Sequence, residues 1–178
     1  MAKTLISTHT ASSSATLDIT SGIDSTYPVY EFHCVGIHPQ TDSAIFKFQV
    51  NAAGASGFNE TITSSAFRAY HNEADTDEAL SYDAGADQAQ GTGYQNITTG
   101  NGSDNDQASA GTLSLYAPSS TTYVKHFMAV FTDADQEDKT NVLRAAGYIN
   151  TTSAIDEISF KFDSGNIDAG VIKMFGVS

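Results

Sequence analysis

The sequence predicts an all-β protein, a jelly-roll-type β-sandwich with a long acidic loop excursion. Three observations carry this prediction. The dominant apolar period is two rather than 3.6, as in Ile158, Phe160 and Phe162 alternating with Ser159, Lys161 and Asp163. Leu occurs only 6 times, against 12 Ile, 10 Phe and 8 Tyr, and β-branched and aromatic side chains fit a pleated surface better than a helix. Turn signals separate the apolar runs: Ser21-Gly22, His38-Pro39, Asn101-Gly102, Ala117-Pro118 and Ser164-Gly165-Asn166.

Taken in order, Leu5-Ile6 and Leu17-Asp18-Ile19 read as two short strands. Tyr30-Glu31-Phe32-His33-Cys34 alternates and runs into Val35-Gly36-Ile37. Phe46, Phe48 and Val50 alternate with Lys47, Gln49 and Asn51. Residues 61–70 and 142–149 have weaker strand patterns, and Leu113 and Leu115 flank Ser114. Tyr123 to Phe131 is apolar on both faces, so one face packs on the core. The other is covered either within the same domain, as a central strand, or by a second subunit. Val171 to Val177 makes a last strand. Roughly eight to ten short strands with long crossing connections favour a jelly roll.

The stretch from Ala69 to Val124 has no Lys or Arg and holds eight acids: Glu73, Asp75, Asp77, Glu78, Asp83, Asp87, Asp104 and Asp106. Residues 71–110 show little periodicity and read as a long acidic loop. Asp75 with Glu78 resembles a capping box and predicts a short helix near 76–82. No repeat or linker divides the chain, so residues 1–178 form a single domain, large enough to bury roughly 70% of its unfolded surface.

Charged residues are 16% of the chain and the net charge is −13, while 20 Ser and 20 Thr supply most of the polarity. That balance argues against nucleic acid and against an anionic membrane as partners. One cysteine, Cys34, excludes an intrachain disulfide and a multi-Cys zinc site. The opening residues lack the apolar core of a secretory leader, and no run is long enough for a membrane-spanning helix.

No G-x-S-x-G elbow and no phosphate loop occurs, and Gly91-Thr92-Gly93 reads as a flexible loop. The five histidines (His9, His33, His38, His71, His126) identify no triad by spacing, and His126 reads as a core histidine. Cys34 alternates with Tyr30 and Phe32 and reads as a core residue, not a nucleophile. Three acidic clusters offer oxygen ligands of the kind calcium takes: Asp133-Asp135-Glu137, Asp104-Asn105-Asp106 and Asp75-Asp77-Glu78. None follows the EF-hand spacing, and each reads primarily as solvated surface, the first as the tip of a hairpin. The catalytic, cofactor-binding and metal-ligating sets are therefore left empty. Sequons at Asn59, Asn96, Asn101 and Asn150 carry no weight in so Ser/Thr-rich a chain.

The two ends of the chain share a pattern with a known group. Met1-Ala2-Lys3-Thr4-Leu5-Ile6, then Leu17-Asp18-Ile19-Thr20-Ser21-Gly22-Ile23 and Tyr27-Pro28-Val29-Tyr30-Glu31-Phe32, resembles the opening of small virion proteins of tailed bacteriophages, those of marine bacteria and cyanobacteria above all. Phe160-Lys161-Phe162-Asp163-Ser164-Gly165-Asn166-Ile167 and Gly170-Val171-Ile172-Lys173-Met174-Phe175-Gly176-Val177 are similar to the closing hairpin of that group. Asn51–Gly54 to Ala69-Tyr70-His71 and Gly147–Ser153 also fit, while 71–110 does not. The resemblance implies a jelly-roll sandwich, a place on the virion assembled in the host cytoplasm, and no catalysis or cofactor. It implies capsid decoration on the head exterior, or a tail or fibre position. The partners would be further copies of the chain, as a homotrimer, and the major capsid or other virion proteins. Two rival readings stand beside it: a carbohydrate-binding or receptor-binding module with calcium in the acidic loops, and a hydrolase on a β scaffold.

Overall fold

The computed structural model describes residues 2–178, and among them there are thirteen strands and no helix. The strands are β1 (Lys3–Ser14), β2 (Leu17–Ile19), β3 (Val29–Pro39), β4 (Phe46–Ala52) and β5 (Ile62–Asn72). Three short ones follow: β6 (Glu78–Tyr82), β7 (Gln88–Gly91) and β8 (Gln95–Asn96). The last five are β9 (Ser109–Tyr116), β10 (Lys125–Ala134), β11 (Lys139–Ile149), β12 (Ile155–Phe162) and β13 (Ile167–Val177). They form a nine-stranded sheet in the order β1-β13-β3-β9-β10-β11-β5-β6, with β7 also paired to β5, and a four-stranded sheet in the order β2-β12-β4-β8. All pairings are antiparallel.

The wrapping is that of a jelly roll. β1 runs into β2, β3 into β4, β8 into β9 and β12 into β13, each connection passing from one sheet to the other. The order β1-β13-β3-β9 in the large sheet is mirrored by β2-β12-β4-β8 in the small one. Both chain ends are thereby wound into the sandwich, and Gly165, at φ 67, makes the tight turn between β12 and β13.

The core lies between the sheets, and phenylalanines from opposite layers join it. Phe46 of β4 meets Phe131 of β10 at 6.3 Å between centroids, and Phe48 meets Phe127 edge-on at 5.1 Å. Phe160 of β12 meets Phe32 of β3 at 5.8 Å. Phe46 also packs on Phe160 and Phe162 within its own sheet, at 5.8 and 5.2 Å. All of these rings are buried, as period-two alternation requires when only one face of each sheet looks inward.

The structure corrects several expectations. The long acidic loop is interrupted by short strands: residues 71–110 include β6, β7, β8 and the start of β9, with irregular chain between them. The helix at 76–82 is instead β6, paired with the free edge of β5. A seven-residue helix has no intrinsic stability, whereas an open edge offers a ready ladder. The side chain of Asn72 holds the turn between β5 and β6, its Oδ1 accepting from the backbone N–H of Thr76 and Asp77 at 2.9 and 3.0 Å. The segment then folds back beneath β5, where Gln95 Nε2 donates to the Ala86 carbonyl and Ser64 Oγ donates to Gln95 Oε1, each at 2.7 Å. The first strand is twelve residues long rather than a short Leu5-Ile6 element. The strand from Lys125 is central, but it is not covered on both faces by its own domain: Phe127, Ala129 and Phe131 are buried, while His126 and Met128 are exposed.

Phe46 touches three other rings across both layers, so it should be the most costly single truncation in the core. Phe46→Ala is expected to lower the unfolding free energy by about 3–5 kcal/mol, read from urea denaturation midpoints.

Candidate functional site

Two surfaces stand out, both at the β10-β11-β5-β6 end of the large sheet. The first is the outer face of β9, β10, β11, β5 and β6. Paired residues in an antiparallel ladder share a face, so the register assigns the outward positions. One row runs Tyr82, Phe67, Arg144, Val130, Thr112, and the next runs Leu80, Ala69, Val142, Thr132, Ala110. Ser65, Ala146, Met128 and Ser114 make a third. Leu80, Tyr82, Met128, Phe67 and Val142 are between 37% and 73% exposed, and together form a contiguous apolar patch. Monomers seldom expose more than a few hundred Å² of this kind. His126, expected in the core, lies on this face and meets Tyr148 edge-on at 6.2 Å.

Charge is nearly absent from this face. Among the described residues, the outward positions of these five strands carry one acid, Glu78, and one Lys or Arg, Arg144. The other twenty of the chain's 21 acids lie elsewhere. At the opposite end of the same sheet, Lys3 Nζ and His33 Nε2 both donate to Glu31 Oε2, at 2.6 and 2.8 Å. Burial works to raise the Glu31 pKa, but these two hydrogen bonds and the Lys3 charge hold it below the usual range.

The second surface is the inner face of the same end. There the apolar layer of Leu143 and Phe131 gives way to a polar one, and a cleft of about 260 Å³ opens, lined by Arg68, Tyr70, Thr99, Asp135, Lys139 and Asn141 among others. The Arg68 guanidinium and the Lys139 ammonium both lie over the Tyr70 ring, at 5.1 and 5.2 Å. Lys139 is held by Asp77 and Glu137, at 3.0 and 2.7 Å. These two hydrogen bonds, that to Glu137 foremost, raise the Lys139 pKa. Beneath the cleft sits Asp133, 2% exposed, whose carboxylate accepts from the Thr99 N–H, the Thr99 hydroxyl and Asn141 Nδ2. Asn141 also donates to Asp135.

The expectation of a hairpin tip solvated at every position is therefore wrong for Asp133. Its place in β10 is inward-facing, directly opposite Asn141. A neighbouring cleft of about 490 Å³ brings Asp104, Asp106 and Asp135 together with Glu73 and Asp138. Among the described residues, no three His, Cys, Asp or Glu side chains are grouped to hold a metal ion. Cys34 is buried as expected, and burial pushes its thiol pKa up, away from the thiolate. His38 Nδ1 donates to the Gln107 carbonyl at 2.6 Å, and Lys125, fully buried, donates through Nζ to the carbonyls of Tyr123 and Thr151. Lys125 is the residue that the apolar reading of its strand concealed, and the single cation within Tyr123–Phe131 was its signal.

Burial holds the Asp133 pKa at about 6, against the hydrogen bonds from Thr99 and Asn141 that would lower it. An unfolded Asp titrates near 4. Between those values the folded protein binds the proton that the unfolded chain has released, so stability is greatest below about pH 4 and falls as pH rises through 6. The loss by pH 7 is up to about 3 kcal/mol. Asp133→Asn should remove it, so the stability of the variant relative to the parent is expected to rise from pH 4 to pH 7. Urea midpoints of both proteins at the two pH values measure this.

No family model, curated protein or solved structure matches this chain.

Proposed function

We propose that this chain is a bacteriophage virion structural protein, an oligomeric decoration protein of the head exterior that binds other proteins and turns over no substrate. The observation that carries the reading is the uncovered outer face of β9, β10, β11, β5 and β6, with Phe67, Leu80, Tyr82, Met128 and Val142 exposed on it. A face depleted in charge and enriched in aromatic residues, Met and Arg has the composition of a protein–protein interface. The resemblance of both chain ends to phage virion proteins supplies the setting, and tail or fibre attachment is the variant of the same reading. The acids gathered on the rest of the surface keep densely arrayed copies apart and away from nucleic acid. Mixing the protein with purified phage heads and tails and pelleting the particles tests the proposal. Saturable co-sedimentation with heads is expected, and a protein left in the supernatant with both would sink it.

A second reading is favoured by one specific feature. Arg68 points into the polar cleft and forms no ion pair or side-chain hydrogen bond among the described residues. A cleft of this size and polarity suits a single sugar ring, as a receptor-binding module would require. Under this reading Arg68→Ala lowers glycan affinity roughly tenfold, the loss of one charged hydrogen-bonding group. A glycan array that is blank for the parent protein would dispose of it.

A further inference from the structure

We infer that the occupant of the uncovered sheet face is a second copy of this chain, joined to the first through Arg144 of one copy and Glu78 of the other. The inference rests on the reading of the chain as an assembling structural protein. Three observations lead to it. The first is charge. Each copy carries −13, so two copies repel one another along most approaches. This face is the exception, because its outward strand positions hold a single acid and a single Lys or Arg. The second is that these two groups are opposite in sign and both unsatisfied. Arg144 stands between Phe67 and Val130, and Glu78 stands at the end of β6 beside His71. Neither makes an ion pair or a side-chain hydrogen bond among the described residues, although Arg144 is ringed by apolar groups that association would desolvate. A face carrying one of each sign complements itself. The third is area. Five strands about 4.8 Å apart and about nine residues long at 3.3 Å each present about 700 Å². A standard interface uses about 800 Å² per partner.

A face that complements itself closes as a two-fold pair, with Arg144 of each copy against Glu78 of the other.

The test is sedimentation velocity with light scattering on the full chain. The parent is expected at twice 18.8 kDa. Arg144→Glu and Glu78→Arg should each weaken association roughly tenfold or more, because like charges are placed across the contact. The double variant R144E/E78R restores the pair in reversed order and should associate more tightly than either single variant. Such rescue occurs only if both partners carry the exchange, which separates a second copy from a capsid protein. Val142→Glu with Met128→Glu should leave a monomer whose far-UV circular dichroism is unchanged. A monomeric parent, or a double variant no tighter than the weaker single, overturns the inference. A monomer that still pellets with heads would overturn this inference alone. An oligomer that ignores particles would overturn the virion reading alone.

Discussion

A four-stranded sheet cannot cover a nine-stranded one. At about 4.8 Å per strand the small sheet is about 19 Å wide and the large one about twice that, since β6 and β7 share one edge of β5. Most of what distinguishes this molecule follows from that mismatch. Where the small sheet lies over the large one, the interior is an ordinary sandwich core, with Phe160 of β12 against Phe32 of β3 across the layers. β10 is the last strand to receive such aromatic contacts, through Phe127 and Phe131, and β8, the edge of the small sheet, meets β5 through the Gln95–Ser64 hydrogen bond. The small sheet has no further strand there, and the two faces at this end need another solution.

The inner face is closed by β8 and the chain around it. The segment after β6 turns back beneath β5, and Ala86, Gln95 of β8 and Ile97 are buried there. Further out the face becomes polar, and Asp133, Asn141 and Thr99 satisfy one another within a space that no apolar side chain fills. The outer face has no such cover. Polarity is thus inverted at this end: the inner surface holds Arg68, Asp133 and Lys139, while the outer one shows Phe67, Val142 and Met128. An inversion of this kind is costly in a monomer, since apolar area is left in water while a carboxylate is taken out of it. It becomes favourable once the outer face is buried against protein.

This also marks where the sequence could and could not be read. Alternation alone located β3, β4, β12 and β13, because each has one face on a core made of the same few residue types, such as Phe46, Phe48 and Phe160. The sandwich class followed from those strands and the turns between them. β6 escaped because Glu78-Ala79-Leu80-Ser81-Tyr82 buries nothing: all five residues are exposed, so the strand exists through its ladder to β5 and leaves no hydrophobic signature of burial. Asp133 escaped for the converse reason. Acids at every second position read as solvent-facing, and only its partner Asn141, eight residues on, reveals that the strand's inward side ends in a carboxylate. The apolar patch was half legible. The two-sided apolar strand from Tyr123 to Phe131 gave Met128 and Val130, but Phe67, Leu80 and Tyr82 join them only through the register of β5 and β6.

The edges of the large sheet explain why association would use its face. The large sheet ends in β1 on one side and in β6 and β7, both paired to β5, on the other, and such edges are ordinarily templates for open-ended growth. At one end β1 is long, but its ladder with β13 is broken by a bulge between Leu5 and Ser7, and beyond the bulge it is Ser and Thr with His9 and Ala11 rather than a flat apolar strip. At the other, β6 and β7 have only five and four residues, and acids stand along the edge: Asp75 and Asp77 before β6, Glu78 at its start, and Asp83 and Asp87 between β6 and β7. Tyr82 donates its hydroxyl to Asp87, fixing one of these charges beside the edge. A second β6 edge would meet carboxylate with carboxylate. The edges are thus protected by irregularity and charge, whereas the face between them is apolar and nearly uncharged. Growth by edge pairing has no natural stopping point, but contact through a face closes after a fixed number of copies. An assembly that avoids fibres needs that second kind of contact, and the distribution of the chain's 21 acids leaves one surface nearly free of charge.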